Sequence, residues 1–355
     1  MTMIDLRSDT VTRPTPDMWE AMAHAEVGDD VYGEDPSVNR LQEMAAELTG
    51  KEAGLFVASG TMGNLTAVLA HCSRGDEAIL GDKAHTFLYE AGGISALGGV
   101  HSRQLPNQPD GTLRLEEIQA AIRGDDAHFP VTRLICLENT QNRCGGAPLT
   151  VDYTRQVGEL AAQNNIYLHL DGARLFNAAV AQEVSAKELA APADSVTFCL
   201  SKALCAPVGS VLCGTKDFIY RAYRIRKQLG GGMRQAGVLA AAGIDALNTM
   251  IERLKEDHAR ARLLAAGIAS IPGMQVDPGN PKTNMVFCSV SPEVADNAQA
   301  VAEKLKSYGV LVGVVAQRRF RLVTHYWIDD AGVEQAIDAF SEVLRAAVPA
   351  SEYQP

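Results

Sequence analysis

The stretch Ile166–Lys202, IYLHLDGARLFNAAVAQEVSAKELAAPADSVTFCLSK, decides the fold. Two short apolar runs, IYLHLD and SVTFCL, read as buried strands. A helical pattern separates them, so they form a strand–helix–strand unit of a parallel sheet. Working outward, GSVLCGT (Gly209–Thr215) is a further strand close by. Upstream, RLICLEN (Arg133–Asn139) precedes the helical DYTRQVGELAAQNN, and EAIL (Glu77–Leu80) precedes a helix expected around His85–Leu97. A short strand near Val100 and a helix over LRLEEIQAAIR follow. GLFVAS (Gly54–Ser59) runs into SGTMGN, which opens another helix, and a helix over Ser37–Thr49 takes Ser37 as its N-cap. The fold class is therefore α/β with a mostly parallel sheet.

Beyond about Gly243 the pattern changes. ALNTMIERLKEDHARARLLAAGIASI reads as one long helical stretch, followed by TNMVFCSV, a helix over Val294–Tyr308, VLVGVV, RFRLVTH and a last helix over Ala331–Ala346. This predicts a large domain over residues 1–245, N-terminal segment included, and a smaller C-terminal α+β domain over 246–355. The tail SEYQP reads as frayed.

The chain of 355 residues carries 32 Lys and Arg against 43 Asp and Glu, a formal net charge of −11. That balance argues against a nucleic-acid partner. No apolar run approaches the ~18 residues of a membrane span, and Asp5, Arg7 and Asp9 stand where a signal peptide needs an apolar core. The expected location is the cytoplasm. Seven cysteines without a CxxC pair read as reduced thiols, several of them core residues, with the roles of Cys144 and Cys205 open.

Lys202 ends the apolar strand SVTFCL and enters a turn rich in small residues. A lysine there is either a surface residue or a partly desolvated amine suited to a Schiff base. Asp171 ends IYLHLD, at the carboxyl edge where such sheets bind ligands. It is either a cap for GARLFN or the partner of a protonated pyridine nitrogen, as in pyridoxal phosphate. Ser59-Gly60-Thr61, between strand and helix, suits a phosphate. His85 follows EAIL, where an imidazole can stack on a ring or move protons, and His128 lies in a polar turn before RLICLEN. Each has an ordinary structural reading alone. Together they follow the order phosphate loop, stacking residue, aspartate, lysine. No P-loop and no GxGxxG after a strand is present, so a dinucleotide reading lacks support.

The chain resembles the low-specificity L-threonine aldolases, including the L-allo-threonine enzymes, of the pyridoxal-phosphate fold type I superfamily. The resemblance runs through DLRSDTVTRPT, VGDDVYGEDPSVN, SGTMGN, HLDGARLFNA, CLSKALCAPVGS, GGGMRQAG, TNMVF and RLVTH. It implies a fold of large and small domains, cleavage of L-3-hydroxy amino acids to glycine and an aldehyde, and a homodimer or homotetramer. It implies that Lys202 bonds the cofactor, Asp171 pairs with its ring nitrogen, His85 stacks on the ring, and Ser59, Gly60 and Thr61 surround its phosphate. Arg174 would contact the cofactor's phenolic oxygen or the substrate carboxylate, and Ser8 and Arg321 would bind that carboxylate. Lys227 and Arg234 would reach substrate or cofactor, from a neighbouring subunit. His128 would lie near the substrate's β-hydroxyl, and His85, His128 or a water would be the base. No metal is implied. In the surrounding basic run, Arg221, Arg224 and Arg226 read as a solvated face. The chain departs from the family at Gln141, usually histidine, and at Ala203 and Cys205, usually glycine. Rival readings are the same chemistry on a bulkier substrate such as phenylserine, a β-elimination or transamination, and an inactive binding protein.

Overall fold

A computed structural model describes residues 3–279 and 281–345. It divides into two compact units: Arg13–Glu252, and the residues up to Thr12 together with those from Arg253 on. The first unit holds a seven-stranded sheet in the order Ala53–Val57, Ser210–Gly214, Ser195–Cys199, Tyr167–Asp171, Thr132–Glu138, Glu77–Gly81 and His101–Leu105. Ser210–Gly214 is antiparallel to both neighbours and every other pairing is parallel. The strands therefore read as near-continuous apolar runs, because helices cover both faces. Ser195–Cys199 and Ser210–Gly214 are buried throughout.

Local chemistry sets the elements that frame the sheet's carboxyl edge. The helix Gly60–His71 begins at Ser59, whose hydroxyl accepts from the Met62 amide. The helix Pro36–Thr49 is capped by Asp35, not by Ser37, with Pro36 at its first position and Gly50 left-handed at its end. Asp35 is the better cap because it also accepts from the amides of Gly28 and Gly237. The expected single helix over 85–97 is two turns, His85–Leu88 and Gly93–Ala96, broken where Ala91 and Gly92 adopt positive φ. That break turns Glu90 inward.

The C-terminal unit carries a five-stranded sheet ordered Ile4–Leu6, Val310–Ala316, Arg319–Val323, Met285–Val290 and Met274–Val276. Ile4–Leu6, too short to register as a strand in the sequence, pairs parallel with Val310–Val312. The N-terminal residues thus join the C-terminal unit, against the expected inclusion in the large domain. Buried Ile4 and Leu6 hold them there in one apolar cluster with Val310, Phe320 and Phe340. The long helical stretch is two helices, Gly237–Thr249 and Leu254–Ala269, and the units divide between them at Glu252 and Arg253. The last helix runs Asp330–Arg345; Ala346 and the tail SEYQP lie outside the described residues. Among the described residues no helix is long and apolar enough to cross a membrane.

Candidate active site

Parallel strands bring their carboxyl ends to one edge of the seven-stranded sheet. Asp171 and Glu138 are paired neighbours there, each ending its strand. The Lys202 turn follows Ser195–Cys199, the loop before His85 follows Glu77–Gly81, and Ser59-Gly60-Thr61 follows Ala53–Val57. The edge thus gathers Lys202, Asp171, His85 and the loop Ser59-Gly60-Thr61.

Asp171 is 3% exposed. Its Oδ1 accepts from the Ala173 amide at 3.0 Å and its Oδ2 from Asn64 Nδ2 at 2.8 Å. His85 Nδ1 lies 2.8 Å from Glu90 Oε1, and ligand-type atoms of His85, Glu90 and Asp171 all fall within 4.8 Å of one another. The hydrogen bond to Glu90 raises the His85 pKa, and the Lys202 charge opposes that rise, which puts Lys202 within electrostatic reach of the imidazole. Burial raises the Glu90 carboxyl, and its Oε2 has no partner. A trio of this kind suits a cation, but the sequence points to a ring nitrogen rather than a metal.

Lys202 is half-buried and lines one small cavity with Ala173, Arg174 and Cys199. Arg174 is itself buried, at the start of the helix Leu175–Gln182. A Cβ added to Gly60 would stand 2.8 Å from Cys199 Sγ, so glycine lets the helix start pack onto the strand ends. Thr61 follows in the first turn, where unpaired amides and the helix dipole favour an anion. Buried hydroxyls of Thr197 and Ser210 near these ends have no partner. Carboxylate, amine, imidazole and helix N-terminus fit a phosphorylated aromatic ring bearing a basic nitrogen.

Other expected residues lie elsewhere. His128 sits beyond the amino end of Thr132–Glu138, on the opposite edge of the sheet, 87% exposed and bonded to Asp126 at 2.6 Å. Its position before the strand, rather than after it, takes it away from Lys202 of its own chain. Arg234 is exposed and pairs with Asp29 at 3.0 Å, and Lys227 is exposed near Gly232. Neither joins the cluster. Ser8 and Arg321 belong to the C-terminal unit: Ser8 caps the turn Asp9–Val11, and Arg321 Nη2 donates to the Arg7 carbonyl at 3.2 Å.

The basic run is not wholly solvated. Arg226 is 1% exposed, donates to Asp30 Oδ2 at 2.7 Å and to the Phe56 carbonyl at 2.8 Å, and lies over Tyr223. Its position on the helix Lys216–Gln228 places it with buried Phe218 and Ala222, one turn apart each. None of the seven cysteines forms a disulfide among the described residues. Burial pushes the Cys144 thiol up, which argues against a nucleophile. Cys205 stands at φ +65°, the left-handed region that explains the family's glycine there.

Sequence reading missed Glu138, Asn64 and His169. Glu138 is buried and accepts from the amides of His85 (2.8 Å) and Asn142 (2.9 Å) and from Gln141 Nε2 (3.2 Å). Burial, then the Asp171 charge, raises it to about 7. Its signal was present, since it ends an apolar strand as Asp171 does. Gln141, 1% exposed, also donates to the Lys83 carbonyl and accepts from the Cys144 amide. It therefore fixes the loop and Glu138.

Residues 5–291 match the family of beta-eliminating lyases. A probable low-specificity L-threonine aldolase of Arabidopsis thaliana is 49% identical over 346 residues, 97% of this chain and 98% of that protein. A low specificity L-threonine aldolase of Escherichia coli (strain K12) is 50% identical over 325 residues, 91% and 94% of the two. The solved threonine aldolase of Leishmania major shares the fold, with a TM-score of 0.82 at 20% identity over 96% of this chain and 99% of that one. The chain belongs to the beta-eliminating lyases and, within them, to the low-specificity L-threonine aldolases.

Proposed function

We propose that the chain cleaves L-threonine, L-allo-threonine and other L-3-hydroxy amino acids to glycine and an aldehyde, with pyridoxal phosphate held at the sheet's carboxyl edge. The observation that carries this reading is the grouping of Asp171, His85 and Lys202 at that edge. When bound, pyridoxal phosphate supplies the electron sink for breaking the Cα–Cβ bond. Lys202 offers the amine that would hold the cofactor. Asp171, fixed by two donors, holds a proton at the ring nitrogen. The amides of Gly60 and Thr61, beside Ser59, take the phosphate, and Arg174 takes the phenolic oxygen or the substrate carboxylate. His85 spends Nδ1 on Glu90, which leaves Nε2 for the ring face or the β-hydroxyl proton.

His128, Lys227 and Arg234 lie outside their own chain's cluster, so their expected roles need a second copy. A homodimer or a tetramer of dimers in the cytoplasm accommodates this. A panel of 3-hydroxy amino acids, with glycine and aldehyde measured together, tests the function. Equal amounts of both without a keto-acid acceptor support it. A requirement for such an acceptor would mean transamination, and ammonia with a keto acid would mean elimination.

A further inference from the structure

Beneath the carboxylates of the site runs a buried hydrogen-bonded chain. Asn64 lies in the first turns of the helix Gly60–His71, 2% exposed. Its Nδ2 donates to Asp171 Oδ2 at 2.8 Å and to Glu90 Oε1 at 2.9 Å, and its Oδ1 lies 3.2 Å from His169 Nε2. Carboxylates only accept, so the amide nitrogen must face them and the amide oxygen must face His169. His169 Nε2 then carries the hydrogen, and His169 Nδ1 accepts from Ser195 Oγ at 2.8 Å. Ser195 Oγ accepts in turn from His71 Nε2 at 2.8 Å. The chain ends at His71 Nδ1, buried without a partner.

This polarity requires His169 to be neutral and His71 to carry a hydrogen on Nε2. Burial pushes His169 down to about 4 and His71 down to about 3, which agrees. On the other side, Glu90 Oε1 also meets His85 Nδ1. One amide therefore stands between the aspartate assigned to the ring nitrogen and the glutamate that orients the stacking histidine.

We propose that Asn64 is a positioning residue: it fixes Asp171 and, through Glu90, His85 in one arrangement, while the His169–Ser195–His71 chain locks its amide. The inference rests on the reading that Asp171 faces the cofactor's ring nitrogen. The titratable groups whose electrostatics involve Asp171 are His85, Glu90, Cys136, Glu138 and His169, and the Lys202 charge reaches His85. Replacing the amide by an acceptor sets a third carboxylate against two others. Extra negative charge favours protonated forms nearby. The pH midpoint of the bound cofactor's visible absorption band should therefore move up.

The test compares the parent with Asn64→Asp, His169→Phe and Asp171→Ala, each checked for folding by circular dichroism. Pyridoxal phosphate affinity is measured by equilibrium dialysis, and the absorption band is titrated with pH. Asn64→Asp should weaken binding about tenfold or more and raise the midpoint by about half a unit or more. His169→Phe, which removes the lock on the amide, should weaken binding less. Should Asn64→Asp not fold, His169→Phe decides. Affinity and midpoint unchanged in the folded variants, with Asp171→Ala clearly weakened, would overturn the role of Asn64 alone. Parent-like affinity in Asp171→Ala would overturn the cofactor reading beneath it.

Discussion

Two buried glutamates on adjacent strands, Glu77 and Glu138, occupy opposite edges of the seven-stranded sheet. Glu77 opens its strand at the amino edge. Arg123 answers it with Nε 3.0 and 3.2 Å from its two oxygens, and Thr132 adds a hydroxyl. Glu138 closes its strand at the carboxyl edge, and its oxygens accept from neutral amides of His85, Gln141 and Asn142. Its pKa rises to about 7 from burial and the neighbouring Asp171. A carboxylate matched by a guanidinium is a structural pair. Carboxylates crowded together with amides and one histidine leave room for an added positive group. The contrast favours the carboxyl edge as the seat of the proposed chemistry.

The largest expected effect is at Asp171. Asp171→Ala should lower glycine production by about 10³-fold or more, since Asp171, held by Ala173 and Asn64, is the carboxylate proposed to pair with the ring nitrogen. Steady-state assay at saturating cofactor checks this, and a loss below tenfold would break the contrast. The two glutamates should then separate. Glu138→Gln turns an acceptor of three donors into a mixed group facing the His85 amide, and should lower turnover about 10-fold or more. Glu77→Gln should leave turnover within about twofold while costing about 1–3 kcal/mol of stability, measured by urea unfolding.

The pH dependence follows from the same pair. Native Glu138 keeps its proton up to about 7, whereas the unfolded chain releases it near 4.5. The native state therefore binds more protons in that window, and this group's contribution to stability falls as pH rises. Glutamine does not titrate. Relative to the parent, Glu138→Gln should gain stability by about 1 kcal/mol or more between pH 5 and 7. Urea unfolding at both pH values checks the sign. The smallest effect should be at the amino edge: His128→Ala should leave pyridoxal phosphate affinity within about twofold, by equilibrium dialysis.

Periodicity marked the strands that build the carboxyl edge, because parallel strands buried on both faces are continuous apolar runs. It did not mark Ile4–Leu6, whose three residues become a strand only by pairing with Val310–Val312, over 300 residues away in sequence. The placement of Asp171, Lys202 and His85 at that edge was legible because each ends or follows such a run. Glu138 obeyed the same rule and was passed over. Asn64 and His169 were not legible as a pair, since only the tertiary structure brings a helix residue against a neighbouring strand. His128 neighbours the strand that ends in Glu138 but precedes it, so its own chain sets it at the other edge and its expected role calls for a second copy.

The most direct measurement is the site of covalent attachment. Purified protein loaded with pyridoxal phosphate is reduced with borohydride, digested and mapped by mass spectrometry. The carboxyl-edge account predicts a single phosphopyridoxyl label on Lys202, lost in Lys202→Ala. A label on Lys227, Lys83 or any other lysine in the parent protein would contradict it.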